Sequence, residues 1–227
     1  MMYTIAALVQ NGRSFLLRNS AANTSQTQWQ YSATREALLY GAQMTSADVQ
    51  VGAGVSRAGL ALLSSADIFV EKEQALGAVF ARTLSTCGDV STALGQAVEG
   101  ISALADMPYG HALLADGTRI AMLEYGGGQV EHEIVSNGFV VRSEHLPPEG
   151  DDRAKENGEL RYERMMEFAE GLYAWMPTLD GEDVVERCRA VLRQEPLCSE
   201  TTSSSVVIEV GDGRVDYFSD RWQTHWL

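Results

Sequence analysis

The order of hydrophobic patterns along the chain is the feature that most restricts its fold. Strand patterns come first, followed by two amphipathic helix patterns, more strands, two further helix patterns and a final hairpin. Each apolar helix stripe and strand face must be buried against another layer. Two antiparallel sheets, each covered on its outer face by one helix pair, meet this need as an α+β four-layer αββα sandwich. One sheet with all helices on one side is the alternative.

Turn residues divide the first half of the chain. Asn11-Gly12 is a strong hairpin signal between two apolar runs. The segments predicted here are strands at 1–9 and 14–18, a polar loop at 19–33, and strands at 48–56 and 59–65. Two helix stripes follow, one through Leu76 and Leu84 and one from an N-cap at Asp89 to Leu104. Both stripes are typical of core packing.

The second half repeats this alternation. Residues 110–146 contain four apolar runs separated by glycine turns, which predicts a four-stranded antiparallel meander. The segments predicted after it are a charged loop at 147–159, helices at 161–176 and 182–192, and a C-terminal hairpin. No repeat and no change of composition marks a second domain, so we expect residues 1–227 to form a single domain.

Charge and composition exclude several classes of function. The net charge is −14 and the isoelectric point is near 4.6, so the surface repels phosphate backbones and we expect no nucleic-acid partner. No apolar run is long enough to span a membrane, so no membrane partner is expected. The absence of a signal sequence and an odd number of cysteines (Cys87, Cys188 and Cys198) favour a cytoplasmic protein with reduced thiols. The histidine and cysteine spacings match no metal site, so we expect no cofactor.

Several short segments, in the right order along nearly the whole chain, carry a resemblance to a known family. They are NGRSFLLRNSA, GVSRAGLALL, YGHALLADGTRIAMLE, FVVRSEHL, LRYERM and VVIEVGDGRVDYF. Together they resemble the choloylglycine hydrolase and acyl-CoA:6-aminopenicillanate acyltransferase-like branch of the N-terminal-nucleophile hydrolases. The resemblance implies a four-layer αββα fold. It also implies a Cys, Ser or Thr at the N-terminus that attacks an amide carbonyl, with its own α-amino group as the base.

The residues that the resemblance places in the active site depart from the family's pattern. Met2 falls at the nucleophile position, sixteen residues before the arginine at position 18, and a thioether cannot attack a carbonyl. Of the remaining positions, Arg18 and Arg161 keep the family's residue type, whereas Ala21, Ser56 and Glu144 do not. Ala21 replaces the aspartate that orients the amine. Ser56 and Glu144 replace asparagines of the oxyanion hole, where a carboxylate would repel the developing charge.

Three functional hypotheses follow. The first is a protein that keeps the fold, has lost amide hydrolysis and acyl transfer, and reuses the old cleft. The second is an active hydrolase of linear amides that uses Thr4 as its N-terminal nucleophile after removal of residues 1–3, although a threonine in a strand is also an ordinary strand former. The third is a ligand-binding module in which Arg18 and Arg161 converge in a cleft and favour a carboxylate or phosphate by bidentate hydrogen bonds, with a small carboxylate or an acyl amide as the expected ligand. Pairing of Glu144 with Arg18 would argue against that module.

The aromatic C-terminal tail allows two interpretations. Trp222, His225, Trp226 and Leu227 have no covering segment after them. They either pack back on the sheet of their own chain or form the contact of a homodimer.

Overall fold

The protein is described here from a computed structural model. It describes residues 3–20, 27–32, 36–42, 51–65, 74–143, 152–198, 204–219 and 221–227. The strands are β1 Tyr3–Gln10, β2 Arg13–Ser20, β3 Thr27–Ser32, β4 Ala37–Ala42, β5 Ala53–Ser56, β6 Ala61–Ser64, β7 Gly110–Ala115, β8 Ile120–Gly126, β9 Gln129–Val135, β10 Gly138–Ser143, β11 Ser204–Glu209, β12 Arg214–Phe218 and β13 Trp222–Trp226. The helices are α1 Gln74–Thr86, α2 Val90–Ser102, α3 Asp152–Trp175 and α4 Gly181–Val191, with a 3₁₀ turn at Met176–Thr178 after α3.

The strands form two antiparallel sheets that pack face to face. The six-stranded sheet has the order β10-β1-β2-β11-β12-β13, and the seven-stranded sheet has the order β3-β4-β5-β6-β7-β8-β9. Helices α1 and α2 cover the outer face of the seven-stranded sheet. Helices α3 and α4 cover the outer face of the six-stranded sheet. The predicted four-layer αββα sandwich is therefore confirmed.

Strand alternation explains how one chain fills three apolar layers. In β1, Ile5 and Ala7 point into the space between the sheets, whereas Ala6 and Leu8 point toward α3 and α4. Successive side chains of a strand face opposite sides, so a central strand of a covered sheet must be apolar on both. The turn at Asn11-Gly12 joins β1 to β2 with positive φ angles of 53° and 77°, as its sequence predicted.

The helix boundaries follow local sequence signals. Asp89 has an extended backbone and its side chain accepts a hydrogen bond from Thr92 N, so it caps α2 as predicted. Asp180 caps α4 in the same way through Asp183 N. Pro177 follows the last turn of α3 and lacks the amide that would continue the helix.

The predicted meander is wrong in its last strand. β7, β8 and β9 are consecutive in the seven-stranded sheet, but β10 crosses to the other sheet and pairs with β1. The physical reason lies in the side chains. β9 is polar and largely exposed on both faces, which suits an edge strand. In β10, Val140 packs between the sheets and Val141 packs under α3 and α4, so this strand needs cover on both faces.

Two predicted loops are also wrong in part. The loop at 19–33 contains β3 at Thr27–Ser32, and the unassigned stretch after it contains β4. The loop at 147–159 contains the first turns of α3, which begins at Asp152 rather than Arg161. Both segments are rich in polar residues, a composition that predicts loops, although β3 alternates Trp29 and Tyr31 with polar residues and pairs with the nearby β4.

The C-terminal tail packs on its own chain. It forms β13, which pairs antiparallel with β12 from Phe218↔Trp222 to Arg214↔Trp226. Trp226 keeps 60% of its surface exposed. The homodimer contact stays a prediction. None of the helices among the described residues is both long and apolar enough to cross a membrane.

Candidate functional site

The region that the resemblance singles out lies where β1 begins, at one end of the space between the sheets. Tyr3 begins β1, Ser20 ends β2 and Ser204 begins β11, and the pairings Tyr3↔Ser20 and Ser20↔Ser204 align them in one row. Alternation from Ile5, Leu16 and Val206 places this row on the inter-sheet face. The next row on the same face is Ile5, Arg18, Val206 and Tyr217. We call these two rows the inter-sheet site.

Arg18 is the charged centre of the inter-sheet site. The residue is only 5% exposed, and its Nη1 donates to the Ser64 carbonyl of the opposite sheet at 2.7 Å. The guanidinium carbon lies 5.7 Å from the centre of the Tyr40 ring, within the range of a cation–π contact. Tyr40 in turn donates from its hydroxyl to the Tyr217 hydroxyl at 3.3 Å. Arg18 is thus held against an aromatic wall that bridges the two sheets.

Tyr3 occupies the first inter-sheet position of β1. Its hydroxyl lies 2.6 Å from His111 Nδ1 on β7 of the opposite sheet. The other ring nitrogen of His111 lies 3.5 Å from the Glu124 carboxylate, and the His111 amide donates to Ser65 Oγ at 2.8 Å. A tyrosine, a histidine and a carboxylate therefore form a chain of polar contacts from the interior to the surface.

A groove of about 210 Å³ lies beside the outer end of this chain of contacts. It is lined by Met122, Glu124, Glu131, His132, Glu133 and Arg142. Arg142 pairs with Glu133 at 3.5 Å, and the remaining carboxylates make the groove acidic. An anionic ligand is disfavoured there, in contrast to the surroundings of Arg18.

Thr4 and Ser56 do not join Arg18. Thr4 is buried, its hydroxyl lies 3.2 Å from Ser143 Oγ, and alternation in β1 turns it toward the helix layer. Ser56 lies at the turn between β5 and β6, where its hydroxyl accepts from the Leu60 amide at 3.3 Å. Arg18 contacts Ser64 at the other end of β6, roughly 13 Å from that turn at 3.3 Å per residue.

Arg161 and Arg18 also do not converge. Arg161 lies on α3, which packs on the helix-covered face of the six-stranded sheet, and its Nε donates to the Pro196 carbonyl at 3.1 Å. Burial lowers the pKa of the Arg161 guanidinium, and the nearby Cys198 thiol opposes that shift. Since Arg18 points to the opposite face of the same sheet, the predicted two-arginine cleft is not formed.

Met2, Ala21 and Glu144 lie outside the described residues, and so does the pairing of Glu144 with Arg18. Within the described ranges, no group of three or more His, Cys, Asp or Glu side chains is placed to hold a metal ion. The thiol of Cys188 is fully buried in the core. Burial and the neighbouring Glu209 raise its pKa, which makes the thiol unreactive.

No protein-family model matches this chain, and no curated protein matches it in sequence. Solved structures match its fold. Penicillin V acylase from Agrobacterium tumefaciens is 14% identical, with a TM-score of 0.55 over 99% of this chain and 85% of that one. The N-acylethanolamine-hydrolyzing acid amidase ortholog of Caenorhabditis elegans is 12% identical, with a TM-score of 0.61 over 99% of both chains. A mutant conjugated bile acid hydrolase from Clostridium perfringens is 12% identical, with a TM-score of 0.59 over 100% of this chain and 92% of that one.

The fold is therefore that of the N-terminal-nucleophile hydrolases, and its structural neighbours are those that the sequence resemblance indicated. At 12–14% identity the likeness concerns the fold alone.

Sequence reasoning missed most of the inter-sheet site. His111 stands alone in the sequence, yet the hairpin of β7 and β8 sets it directly opposite Glu124. A two-residue turn at Asp116-Gly117 would have set His111 opposite Met122, but the loop spans residues 116–119, so the sequence did not reveal this register. The contact of His111 with Tyr3 joins residues 108 positions apart and depends on the packing of two sheets. Only Arg18 was identified from the sequence.

Proposed function

We propose that this chain keeps the fold of the N-terminal-nucleophile hydrolases without their amide chemistry, and that its inter-sheet site binds a small anionic ligand. The observation that carries the proposal is the burial of Arg18 against the Tyr40 ring, one row from Ser20 and Ser204 on the inter-sheet face. Hydrogen-bond donors around one guanidinium favour an anion.

The loss of amide chemistry is supported by the residues around the start of β1. Met2 replaces the nucleophile and Ala21 replaces the carboxylate in sequence. Thr4, the other hydroxyl near the N-terminus, is bonded to Ser143 on the opposite face of the sheet from Arg18. Using Thr4 would require removal of Tyr3, which pairs with Ser20 and contacts His111. The geometry therefore gives the Thr4 hypothesis no support.

The test is a hydrolysis assay with the substrates that the structural neighbours' names suggest. Purified protein would be incubated with penicillin V, an N-acylethanolamine and a conjugated bile acid, and amide cleavage followed by mass spectrometry. We expect no turnover above that of a Met2→Ala variant. Turnover by the natural chain that Thr4→Val abolishes, together with an intact mass lacking residues 1–3, would establish the active-hydrolase alternative instead.

The anion-binding part of the proposal is tested separately, by thermal shift with small carboxylates. A ligand that binds the native state stabilises it by RT ln(1 + L/Kd), where L is the free ligand concentration, so the melting temperature keeps rising with ligand concentration above Kd. We expect a rise that grows with the logarithm of the carboxylate concentration and that Arg18→Met removes. A rise of equal size with sodium chloride at the same ionic strength would count against a specific anion site.

A further inference from the structure

Ser204 carries a buried hydroxyl that has no hydrogen-bond partner among the described residues. The residue is 0% exposed. A buried polar group without a partner is costly, and such groups in native proteins are few. Ser204 also faces the inter-sheet side of β11, in the row of Ser20 and Tyr3. An unbonded donor in this row points to a ligand.

The neighbouring residue shows what an ordinary buried serine does in this strand. Ser205 is equally buried but faces the helix layer, where its hydroxyl donates to Asn19 Oδ1. The Asn19 amide donates in turn to the Leu192 and Leu197 carbonyls at 2.8 and 3.0 Å. Ser205 therefore belongs to a satisfied structural network, and Ser204 does not.

The groups around Ser204 define the chemistry of the ligand. Ser204 pairs with Ser20, and Arg18 lies diagonally across the ladder, so that these side chains are within about 5–8 Å of one another. The Tyr217 hydroxyl, which accepts from Tyr40, keeps its own proton available as a donor. None of these described side chains carries a negative charge. The inter-sheet site therefore offers one positive charge and the hydroxyls of Ser204 and Tyr217 as donors.

We propose that Ser204 and Arg18 form the two sides of a subsite for the carboxylate of a small monocarboxylate ligand. One carboxylate oxygen accepts from the Arg18 guanidinium and the other accepts from the Ser204 hydroxyl. The Tyr40 and Tyr217 rings form the wall against which the apolar part of the ligand lies. The inference rests on the proposed anion-binding function and names the group that completes its site.

The test uses titration calorimetry with phenylacetate as the probe, phenylacetamide as its neutral counterpart and inorganic phosphate as a different anion. We expect phenylacetate to bind more tightly than either. Ser204→Ala should weaken phenylacetate binding by roughly tenfold to a hundredfold, the range for a hydrogen bond to a charged group. The ligand-free melting temperature of this variant should be unchanged or higher, because an unbonded buried hydroxyl has been removed.

Ser205→Ala is the matched control. This variant removes the same hydroxyl from the adjacent, equally buried position. It should lower the melting temperature, because Asn19 Oδ1 loses the hydrogen bond that Ser205 donates. Its affinity for phenylacetate should equal that of the natural chain.

The possible results separate the two proposals. If Ser204→Ala binds phenylacetate as tightly as the natural chain, the subsite is refuted while anion binding stands. If phosphate binds as tightly as phenylacetate, the carboxylate assignment is refuted. If the natural chain binds no carboxylate at all, the anion-binding function itself fails, and the subsite with it.

Discussion

Removal of the Asp216 carboxylate should strongly destabilise the protein. Asp216 on β12 is fully buried, and it accepts hydrogen bonds from Arg189 of α4, from Arg214 Nε at 2.7 Å and from Thr224 Oγ1 of β13 at 2.5 Å. One carboxylate therefore holds a helix and two strands together. Its replacement by alanine leaves two largely buried guanidinium groups without their shared partner.

The expected loss of unfolding free energy depends on the ion pairs that each arginine retains. Breaking a buried ion pair from one side costs about 3–5 kcal/mol. Arg189 retains Glu186 and Arg214 retains Glu182, and both of these carboxylates are more than half exposed. We therefore expect Asp216→Ala to lose about 3 kcal/mol, the lower end of that range. For a domain of this size, the loss corresponds to a fall in melting temperature of roughly 6–12 °C.

The assay is urea unfolding, with the midpoint and the slope both fitted. Glu186→Gln is the control: it removes an exposed partner of the same arginine and should change the free energy of unfolding by about 0–1 kcal/mol. If Asp216→Ala costs no more than Glu186→Gln, the argument that this buried carboxylate joins α4 to β12 and β13 is wrong.

Two further predictions concern pH and backbone packing. Although burial opposes it, hydrogen bonds from Val90 N, Thr118 and Arg119 N hold the pKa of Asp116 below its usual range. The stabilising effect of the Asp116 carboxylate is therefore present at neutral pH and is lost as the pH falls below about 4, through the folded-state pKa. The difference in unfolding free energy between the natural chain and Asp116→Asn should shrink between pH 7 and pH 3. A difference that stays constant over this range would contradict the prediction. Gly95→Ala in α2, where an added Cβ meets nothing within 4 Å, should stabilise the protein by about 0.5–1 kcal/mol. Gly54→Ala, where the Cβ would lie 2.9 Å from the Leu38 carbonyl oxygen, should destabilise the protein by about 1–3 kcal/mol. Thermal unfolding measures both variants, and equal effects of the two changes would refute the packing argument.

Local sequence patterns determined the layers of this protein. The Asn11-Gly12 turn, the Asp89 cap and the stop at Pro177 are each set by the conformational preferences of a few adjacent residues, and each appears where the sequence placed it. The order of strand and helix patterns then allowed few ways to bury every apolar face, which is why the four-layer sandwich could be predicted.

The partner of β10 was decided only by the tertiary structure. Nothing local to residues 138–143 distinguishes a fourth meander strand from one that crosses to β1. The choice depends on which sheet can cover both faces of Val140 and Val141, and that is a property of distant residues. The strand at Thr27–Ser32 was missed for a different reason: its partner β4 is close in sequence, but its polar residues are typical of a loop.

Part of the candidate site could be identified from the sequence, and the rest only from the folded structure. The sequence identified Arg18 and the replacement of the nucleophile by Met2, because both are read from position along one strand. The surroundings of Arg18 come from both sheets: Ser64 and Tyr40 of the opposite sheet reach it only once the sheets pack face to face. Ser204 is an unremarkable serine in sequence, and only its burial and direction in the folded chain make it a ligand-binding candidate.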